Sequence, residues 1–416
     1  MTNRLASGFG WSFLEACFRL GLQFALSVVL ARLLTPAEFG LIGIVSIFNV
    51  IAMTCVDAGF GNALIQRKEV KETEKSSVFY LNVVVGLLTA TVLALSAPLI
   101  AWFFHQPVLI TIIRVMSLNI IIGSLGSTQI SLMSRELRFK PSFLASTVAG
   151  LASSAIAVVM AALGYGVWSL VTQALTATVL STGIIWWMSP WRPRERFRLD
   201  AIQSLIPFSS KLFASSVIDA AFDRAQSAVI GRVYSASDLG YYSRATNTQA
   251  LPVGLLTAAV QKVGFPYFAK VANNPATLRS AVVSVLKALA FATSPILFLL
   301  ASAAHPFVLS IFGPKWLPSV PYLQILCLSG LLWPFHVVNL HALLAQGRSD
   351  IFFRLEIAKK LITASIVLLT FRHGVEIMAW GVVASSVGCA IVNSYYSGVH
   401  LDYPIGRQLR DMLGQS

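Results

Sequence analysis

The residues of this chain with the clearest chemical potential are charged side chains inside long apolar segments. Nine of its 31 Lys and Arg residues, and five of its 17 Asp and Glu residues, fall in segments long enough to cross a bilayer. An ionised side chain near the bilayer centre costs about 2.5–3.5 kcal/mol on insertion scales, so such residues usually face a protein interior or a water-filled cavity. We therefore predict a polar cavity, and its candidate lining residues are Glu15, Arg19, Gln23, Asp219, Asp223, Arg224, Lys287, Lys359 and Lys360.

Part of this set forms a polar stripe on the first apolar segment. Glu15, Arg19, Gln23 and Ser27 are spaced by four residues, so they share one face of a helix. Glu15 and Arg19 are also an i,i+4 ion pair in the favoured order. Mutual neutralisation is therefore the alternative to ligand binding for these two side chains.

A second stripe stands 200 residues later, where Asp219 and Asp223 occupy the positions equivalent to Arg19 and Gln23. Arg224 could balance these two acids and have no other role. Three further cations have no obvious local partner, and they are Lys287, Lys359 and Lys360. A cavity with surplus positive charge favours an anionic ligand.

The helix ends that position these stripes are also duplicated. Residues 31–40 match residues 231–240, and each copy reads as the end of one helix and the start of the next. Thr35 and Ser235 are predicted N-caps, and Glu38 and Asp238 stand three residues later, where they complete capping boxes. The repeat predicts two homologous halves.

The composition places the chain in a membrane. Hydrophobic residues make up 56% and charged residues only 12%, whereas a soluble domain is about a quarter charged. Because a spanning helix needs about 20 apolar residues, we predict twelve spans, near 9–32, 41–64, 78–104, 109–133, 142–163, 167–189, 205–231, 241–266, 281–311, 320–345, 352–371 and 376–398. The expected fold is an all-α integral membrane protein of two six-helix lobes, 1–189 and 205–400, related as parallel repeats. A basic linker, 190–204, joins them, and 401–416 form a tail.

The positive charges predict the orientation. The termini and the loops after even-numbered spans hold seventeen Lys and Arg residues, and the other loops hold five. By the positive-inside rule, both termini face the cytoplasm. This distribution accounts for the net charge of +14 without nucleic acid, and the basic linker is expected to touch anionic headgroups.

Enzyme chemistry has little support in the sequence. His336 and His341 are five residues apart, without the i,i+4 spacing and intervening glutamate of a zinc protease helix. The four cysteines lie in apolar spans without metal-ligand spacing, and no P-loop is present. We expect no catalytic residues, no metal and no cofactor.

Several motifs resemble those of a known family. They are Leu30–Gly40, Asp57–Gln66, Arg135–Lys140, Gly164–Trp168 and Leu239–Ala245. They are similar to motifs of the bacterial polysaccharide transporters, the Wzx-like O-antigen and exopolysaccharide flippases. This family belongs to the MOP superfamily, which includes the MATE exporters, and the colanic-acid-type flippases are the most similar members.

The resemblance implies a MATE-like fold in the bacterial inner membrane. It implies a flippase that moves undecaprenyl-pyrophosphate-linked oligosaccharide repeat units by alternating access around a cationic cavity. Related flippases place a first-helix arginine near the pyrophosphate, and Arg19 is the matching residue. The implied partners are this lipid-linked glycan, membrane lipids, and possible contacts with a glycan polymerase and glycosyltransferases of the same pathway. Two alternatives stay open: a MATE-like cation-coupled exporter of small molecules, and a membrane glycan polymerase or ligase.

Overall fold

The computed structural model describes residues 21–57, 59–67, 69–136, 138–260, 264–346, 348–401 and 403–412, and these residues are helical apart from short connections. The chain divides into two compact units, Met1–Gly240 and Tyr241–Ser416. The first helix of the second predicted half belongs by its contacts to the first unit. The predicted lobe boundary at residues 190–204 therefore stays a prediction.

Unit 1 is a bundle of long helices with short connections. Its helices are α1 (Gly21–Leu33), α2 (Pro36–Asp57), α3 (Phe60–Gln66), α4 (Glu72–Phe104), α5 (Leu109–Arg135), α6 (Phe139–Ala162), α7 (Val167–Met188), α8 (Leu199–Gln203) and α9 (Ile206–Val233). The helix α10 (Ala236–Ala259) begins at the end of this unit and continues into the next.

The duplicated capping boxes are confirmed. The Thr35 hydroxyl donates to Glu38 Oε2 over 2.9 Å, and the Thr35 backbone N–H donates to the same oxygen over 2.6 Å. In the second copy, the Ser235 hydroxyl donates to Asp238 Oδ2 over 2.6 Å, and the Asp238 N–H donates back to Ser235 Oγ over 3.0 Å. These bonds satisfy backbone donors at the starts of α2 and α10, so both helices begin where the sequence predicts.

The two copies of the repeat also lie against each other. A Cβ atom added to Gly40 would lie 1.6 Å from the carbonyl oxygen of Ala236, and one added to Gly240 would lie 2.0 Å from that of Pro36. Position 36 is equivalent to 236, and position 40 to 240, so the contact is reciprocal. Only glycine lets the starts of α2 and α10 approach this closely.

The predicted span 41–64 is broken. Helix α2 ends at Asp57, and α3 begins after Gly59, which has a positive φ of 74°. The Asp57 carboxylate accepts a hydrogen bond from the backbone N–H of Gly61, in the first turn of α3. Asp57 thus caps the start of α3 at the point where the predicted span breaks.

Side-chain hydrogen bonds join neighbouring helices of unit 1. The Asn82 amide of α4 donates to Ser127 Oγ of α5 over 3.0 Å, and the Gln173 amide of α7 donates to Ser154 Oγ of α6 over 2.9 Å. Small residues let these helices approach, as where Gly86 of α4 faces Ser124 of α5. Such contacts are typical of helix packing in a bilayer, where lipid tails weaken the hydrophobic driving force.

The basic linker is fixed to the ends of two helices. Arg192 donates to the carbonyl oxygens of Trp186 and Ser189 at the end of α7, and its guanidinium lies 5.3 Å from the Trp186 ring centre. The Arg198 backbone N–H donates to Ser77 Oγ of α4 over 2.9 Å. The guanidinium groups left exposed on this linker belong to Arg194, Arg196 and Arg198.

Unit 2 contains shorter and more broken helices. After α10 these are α11 (Phe265–Val271), α12 (Pro275–Ser302), α13 (Ala304–Ile311), a 3₁₀ turn (Pro314–Ser319), α14 (Val320–Leu331), α15 (Trp333–Ala345), α16 (Ser349–Thr370), α17 (Val375–Leu401) and α18 (Ile405–Met412). The predicted span 320–345 divides into α14 and α15 just before Pro334, which cannot donate to the helix ladder.

Eight helical segments of the described chain are long and apolar enough to cross a membrane. They include α2, α4, α5, α6, α7, α12 and α17, together with Pro314–Ala345, which contains α14 and α15. Helices α9, α10 and α16 are as long as several of these but more polar. The all-α membrane fold is confirmed, while the count of twelve spans remains a prediction.

Candidate substrate cavity

A cavity of about 710 Å³ lies within unit 1, on the side of α2 that faces α5, α7 and α9. Helix α2 contributes most of its wall, through Ile42, Ser46, Asn49, Val50, Met53, Thr54 and Asp57. Gly59, Met116, Asn119, Ala174 and Ser216 complete the described lining. The volume falls in the range of sites that hold small molecules or parts of larger ligands.

Two asparagines give this cavity its hydrogen-bonding chemistry. Asn49 of α2 and Asn119 of α5 line it, and each has a buried side-chain oxygen without a hydrogen-bond partner among the described residues. A buried acceptor without a partner costs about 1–3 kcal/mol. A bound ligand or an ordered water can supply the missing hydrogen bond. Both amides are therefore candidates for ligand contacts.

Asp57 is the only ionisable side chain among the cavity residues that the structure describes. Its carboxylate is engaged by the Gly61 backbone, and an added Cβ at Gly61 would lie 2.5 Å from Asp57 Oδ1. This carboxylate is thus held at the end of the cavity where α2 breaks. The described wall is mainly apolar, with a few neutral polar side chains and a single acidic group.

The predicted residues of α9 lie on the same helix as the cavity residue Ser216. Asp219 and Asp223 follow Ser216 at i+3 and i+7, which places all three on one face of α9. Asp219 and Arg224 are half-buried, whereas Asp223 is exposed. The second polar stripe therefore continues from the cavity wall along α9.

The predicted residues of the first helix are only partly described. Gln23 is half-buried on α1, and its amide nitrogen lies 3.1 Å from the point where a Cβ of Gly150 on α6 would stand. Gln23 therefore lies beside α6. Glu15 and Arg19 lie outside the described residues, so their placement stays a prediction.

The predicted cations of unit 2 have partners that the sequence reading missed. Lys287 of α12 lies 3.1 Å from Asp411 of α18, which also accepts a hydrogen bond from the Tyr403 hydroxyl over 2.9 Å. Lys359 forms an ion pair with Glu356, three residues earlier on α16. The expectation that Lys359 has no local partner is wrong, because Glu356 lies one helical turn away. Lys287 has no local partner among the described residues, but the tail folds back onto α12 and supplies Asp411.

These contacts shift the pKa of the Asp411 carboxylate. Burial acts to raise its pKa, but the hydrogen bonds from Tyr403 and Lys287 outweigh burial and hold the pKa below its ordinary value. Burial, together with the nearby Asp411, raises the pKa of the Tyr403 hydroxyl. Lys360, the remaining predicted cation, is half-buried on α16.

The predicted lining residues do not include the cavity side chains of α2, although the sequence shows a polar stripe there. Ser46, Asn49, Thr54 and Asp57 occupy one arc of a helix, as the polar stripe of the first span does. They are mostly uncharged, so a search for buried charge passed over them. Asn119 could not be assigned from periodicity, because its place beside α2 depends on tertiary packing.

The architecture defines a class of membrane protein. The structure superposes on the lipid II flippase MurJ in its inward closed conformation with a TM-score of 0.79 at 14% identity, covering 97% of this chain and 90% of that one. It superposes on an inward-facing multidrug resistance MATE transporter of the MOP superfamily with a TM-score of 0.74 at 15% identity, covering 92% and 94%. At these identities the likeness establishes the fold, which is that of the MATE and MurJ transporters.

Sequence similarity then gives the family. Residues 29–321 match the family described as "Polysaccharide biosynthesis protein", and the chain belongs to it. The chain is 30% identical to the teichuronic acid biosynthesis protein TuaB of Bacillus subtilis, over 85% of this chain and 74% of TuaB. It is 28% identical to the lipopolysaccharide biosynthesis protein WzxC of Escherichia coli, over 94% and 78%. The predicted family and the MATE-like fold are confirmed, and the protein is a multi-pass membrane protein of the polysaccharide transporter group.

Proposed function

We propose that this protein flips undecaprenyl-pyrophosphate-linked oligosaccharide repeat units across the bacterial cytoplasmic membrane for surface polysaccharide synthesis. The observation that carries the proposal is the cavity of unit 1, whose wall includes two amides with unsatisfied oxygens, in a chain of the polysaccharide biosynthesis family. A glycan headgroup cannot cross hydrocarbon unaided, because its hydroxyl groups and charges would lose their hydrogen bonds to water.

The cavity chemistry suits the glycan part of such a ligand. Sugar hydroxyls both donate and accept, so they can bond to the neutral polar side chains of this wall, which are Ser46, Asn49, Thr54, Asn119 and Ser216. The wall is mainly neutral, which fits a sugar chain better than a compact ion. We propose that glycan recognition lies on this wall.

The pyrophosphate requires cations. Arg19 remains the first candidate, by its resemblance to the first-helix arginine of related flippases, and Arg224 is a second on α9. Charge-assisted hydrogen bonds from arginine are strong and suit phosphate geometry. Lys287 and Lys359 are weaker candidates because each is engaged by an acid.

One observation favours a second candidate function. Asp57 is the only ionisable group among the described cavity residues, and an acidic cavity suits a cationic small molecule. A MATE-like exporter would therefore need Asp57 as its charged contact. A flippase would need it mainly to hold the break between α2 and α3.

The experiment is complementation of a bacterium that lacks its own exopolysaccharide flippase, with membrane protein measured in parallel. Asn49→Leu and Asn119→Leu should each reduce surface glycan at least tenfold without lowering the amount of protein, since a lost hydrogen bond of about 1.4 kcal/mol gives that factor. Asn62→Leu, at an exposed position of α3, is the matched control. Failure of the unmodified protein to restore glycan, together with Asp57-dependent resistance to cationic drugs, would favour the exporter.

A further inference from the structure

The tail of the chain contains a short helix that polar groups hold against unit 2. This helix is α18 (Ile405–Met412), and its Gln408 side chain is fully buried. Gln408 Oε1 accepts hydrogen bonds from the Asn339 amide of α15 over 2.9 Å and from the Ser394 hydroxyl of α17 over 3.1 Å. The Gln408 amide nitrogen donates to the Tyr403 carbonyl oxygen over 2.8 Å. One side chain of the tail therefore bridges two helices of unit 2.

Asp411, three residues after Gln408, connects the same short helix to α12. Lys287 Nζ lies 3.1 Å from Asp411 Oδ1, and the two side chains are 38% and 20% exposed. An ion pair that water reaches contributes only modestly to stability. Helix α18 thus joins α12, α15 and α17 through one buried amide and one partly exposed ion pair.

Tyr403 anchors the segment that leads into α18. Its side chain is 1% exposed and belongs to the apolar core of unit 2, together with Leu286 of α12 and Val338 of α15. The next residues differ, because Pro404 and Gly406 are exposed and a Cβ added to Gly406 would meet nothing within 4 Å. The backbone between the buried anchor and α18 therefore has room to turn.

The docked position of α18 leaves polar atoms dry. Asn339 Oδ1 and Ser397 Oγ are buried and have no hydrogen-bond partner among the described residues. Ser397 follows Ser394 at i+3, so it lies on the face of α17 that meets α18. Water that enters when α18 moves away can bond to these atoms and to the groups that Gln408 leaves. Release of α18 is therefore partly offset, as suits a polar contact that opens and closes.

We propose that α18 is a reversible strap on unit 2 and that it must undock during transport. The regulatory role rests on the proposed function, whereas the docking equilibrium does not. In the docked state the strap links α12, α15 and α17, so these helices cannot move apart. When α18 turns about the segment after Tyr403, the link is lost while Tyr403 stays in the core. The strap slows transport in proportion to the fraction of time that it is docked.

Thiol labelling measures whether the strap undocks. In a variant whose four native cysteines are replaced by alanine, Ser394→Cys places a thiol in contact with Gln408, at a position with no exposed surface. A water-soluble maleimide then reacts only when α18 has moved away. Adding Gln408→Ala and Asp411→Ala should raise the labelling rate at least tenfold, since a loss of about 1.4 kcal/mol corresponds to that factor. Leu409→Ala, at an exposed position of α18, is the matched control and should leave the labelling rate unchanged.

Movement of undecaprenyl-pyrophosphate-linked oligosaccharide in proteoliposomes tests the regulatory role. Gln408→Ala/Asp411→Ala should flip this probe faster than Leu409→Ala does, because its strap is docked for less of the time. A second variant, Ser394→Cys/Gln408→Cys, allows the strap to be fixed in place by a short, reducible bifunctional thiol reagent. Cross-linking should stop transport and reduction should restore it. The same reagent should not stop transport by Ser394→Cys alone.

The outcomes separate the strap from the proposed function. Equal labelling of Gln408→Ala/Asp411→Ala and Leu409→Ala would overturn the reversible strap. Transport at full rate after cross-linking would overturn its regulatory role, since a docked strap would then restrain nothing. Faster labelling without glycan movement by any variant would remove the flippase assignment and keep the docking equilibrium. If the alanine variant folds poorly, the cross-linked variant decides, because its linked and reduced forms are the same protein.

Discussion

Replacing Gly40 by alanine tests the close contact between the two copies of the repeated turn. The added Cβ would lie 1.6 Å from the Ala236 carbonyl oxygen, and 2.4 Å from its carbonyl carbon. An ordinary contact is 3.4 Å or more, so the starts of α2 and α10 must separate by the difference, about 1.8 Å. The obstructing atoms belong to backbone and cannot move aside as a side chain would.

The magnitude follows from two opposing effects. Forcing an extra carbon into a packed site costs about 1–3 kcal/mol, and a backbone obstacle places Gly40→Ala at the upper end. Alanine recovers up to about 1 kcal/mol, because it favours helix more than glycine does. The expected net loss is about 2 kcal/mol, and Gly240→Ala should lose a similar amount.

The assay is thermal unfolding of the purified protein in detergent, with membrane abundance measured alongside. Gly254→Ala is the matched control on α10, since an added Cβ there meets nothing within 4 Å. The control should be as stable as wild type or slightly more stable. If Gly40→Ala unfolds no earlier than Gly254→Ala, the close contact does not limit stability. Normal abundance of Gly40→Val with lost transport would instead give the turn a direct role in the transport cycle.

Three further predictions use other parts of the chain. A topology reporter fused at Arg138 should be located in the cytoplasm, and one fused at His105 should be located in the periplasm. The reverse result would mean that the membrane spans are miscounted. The double variant Glu15→Gln/Arg19→Gln should be abundant in the membrane but inactive in glycan complementation. If it produces more glycan than Arg19→Gln alone, the two side chains only neutralise each other. The pKa of Asp411 is lowered in the folded protein, so its contact with α12 should stabilise the fold at pH values above the ordinary carboxyl pKa. This stabilisation should be lost as the pH falls through the lowered pKa. If Asp411→Asn leaves the acid unfolding profile unchanged, this prediction is wrong.

Local signals in the sequence predicted local structure well. The capping boxes at Thr35 and Ser235 depend on residues three positions apart, so the sequence alone contains both partners. The same holds for Asp57, whose partner Gly61 lies four residues away. The Lys359–Glu356 pair is equally local, because side chains three residues apart are neighbours on a helix, as are Glu15 and Arg19 at four.

Contacts between residues far apart in the chain could not be predicted from the sequence. The partner of Lys287 is Asp411, 124 residues later, and no periodicity relates the two positions. The cavity wall joins Asn49 of α2 to Asn119 of α5 and Ser216 of α9, which only tertiary packing brings together. Charge in apolar spans predicts polar lining, whereas the polar side chains of the described cavity wall are mostly neutral amides and hydroxyls.

The reciprocal contact of the repeated turns has the form of a subunit interface. In a two-fold dimer, if residue i of one subunit contacts residue j of its partner, then residue j of the first subunit contacts residue i of the partner. Gly40 on Ala236 and Gly240 on Pro36 have this relation within a single chain. Such an arrangement is what a symmetric dimer becomes when its genes fuse. Each half therefore carries both surfaces of this contact, Pro36 and Gly40 in the first half and Ala236 and Gly240 in the second.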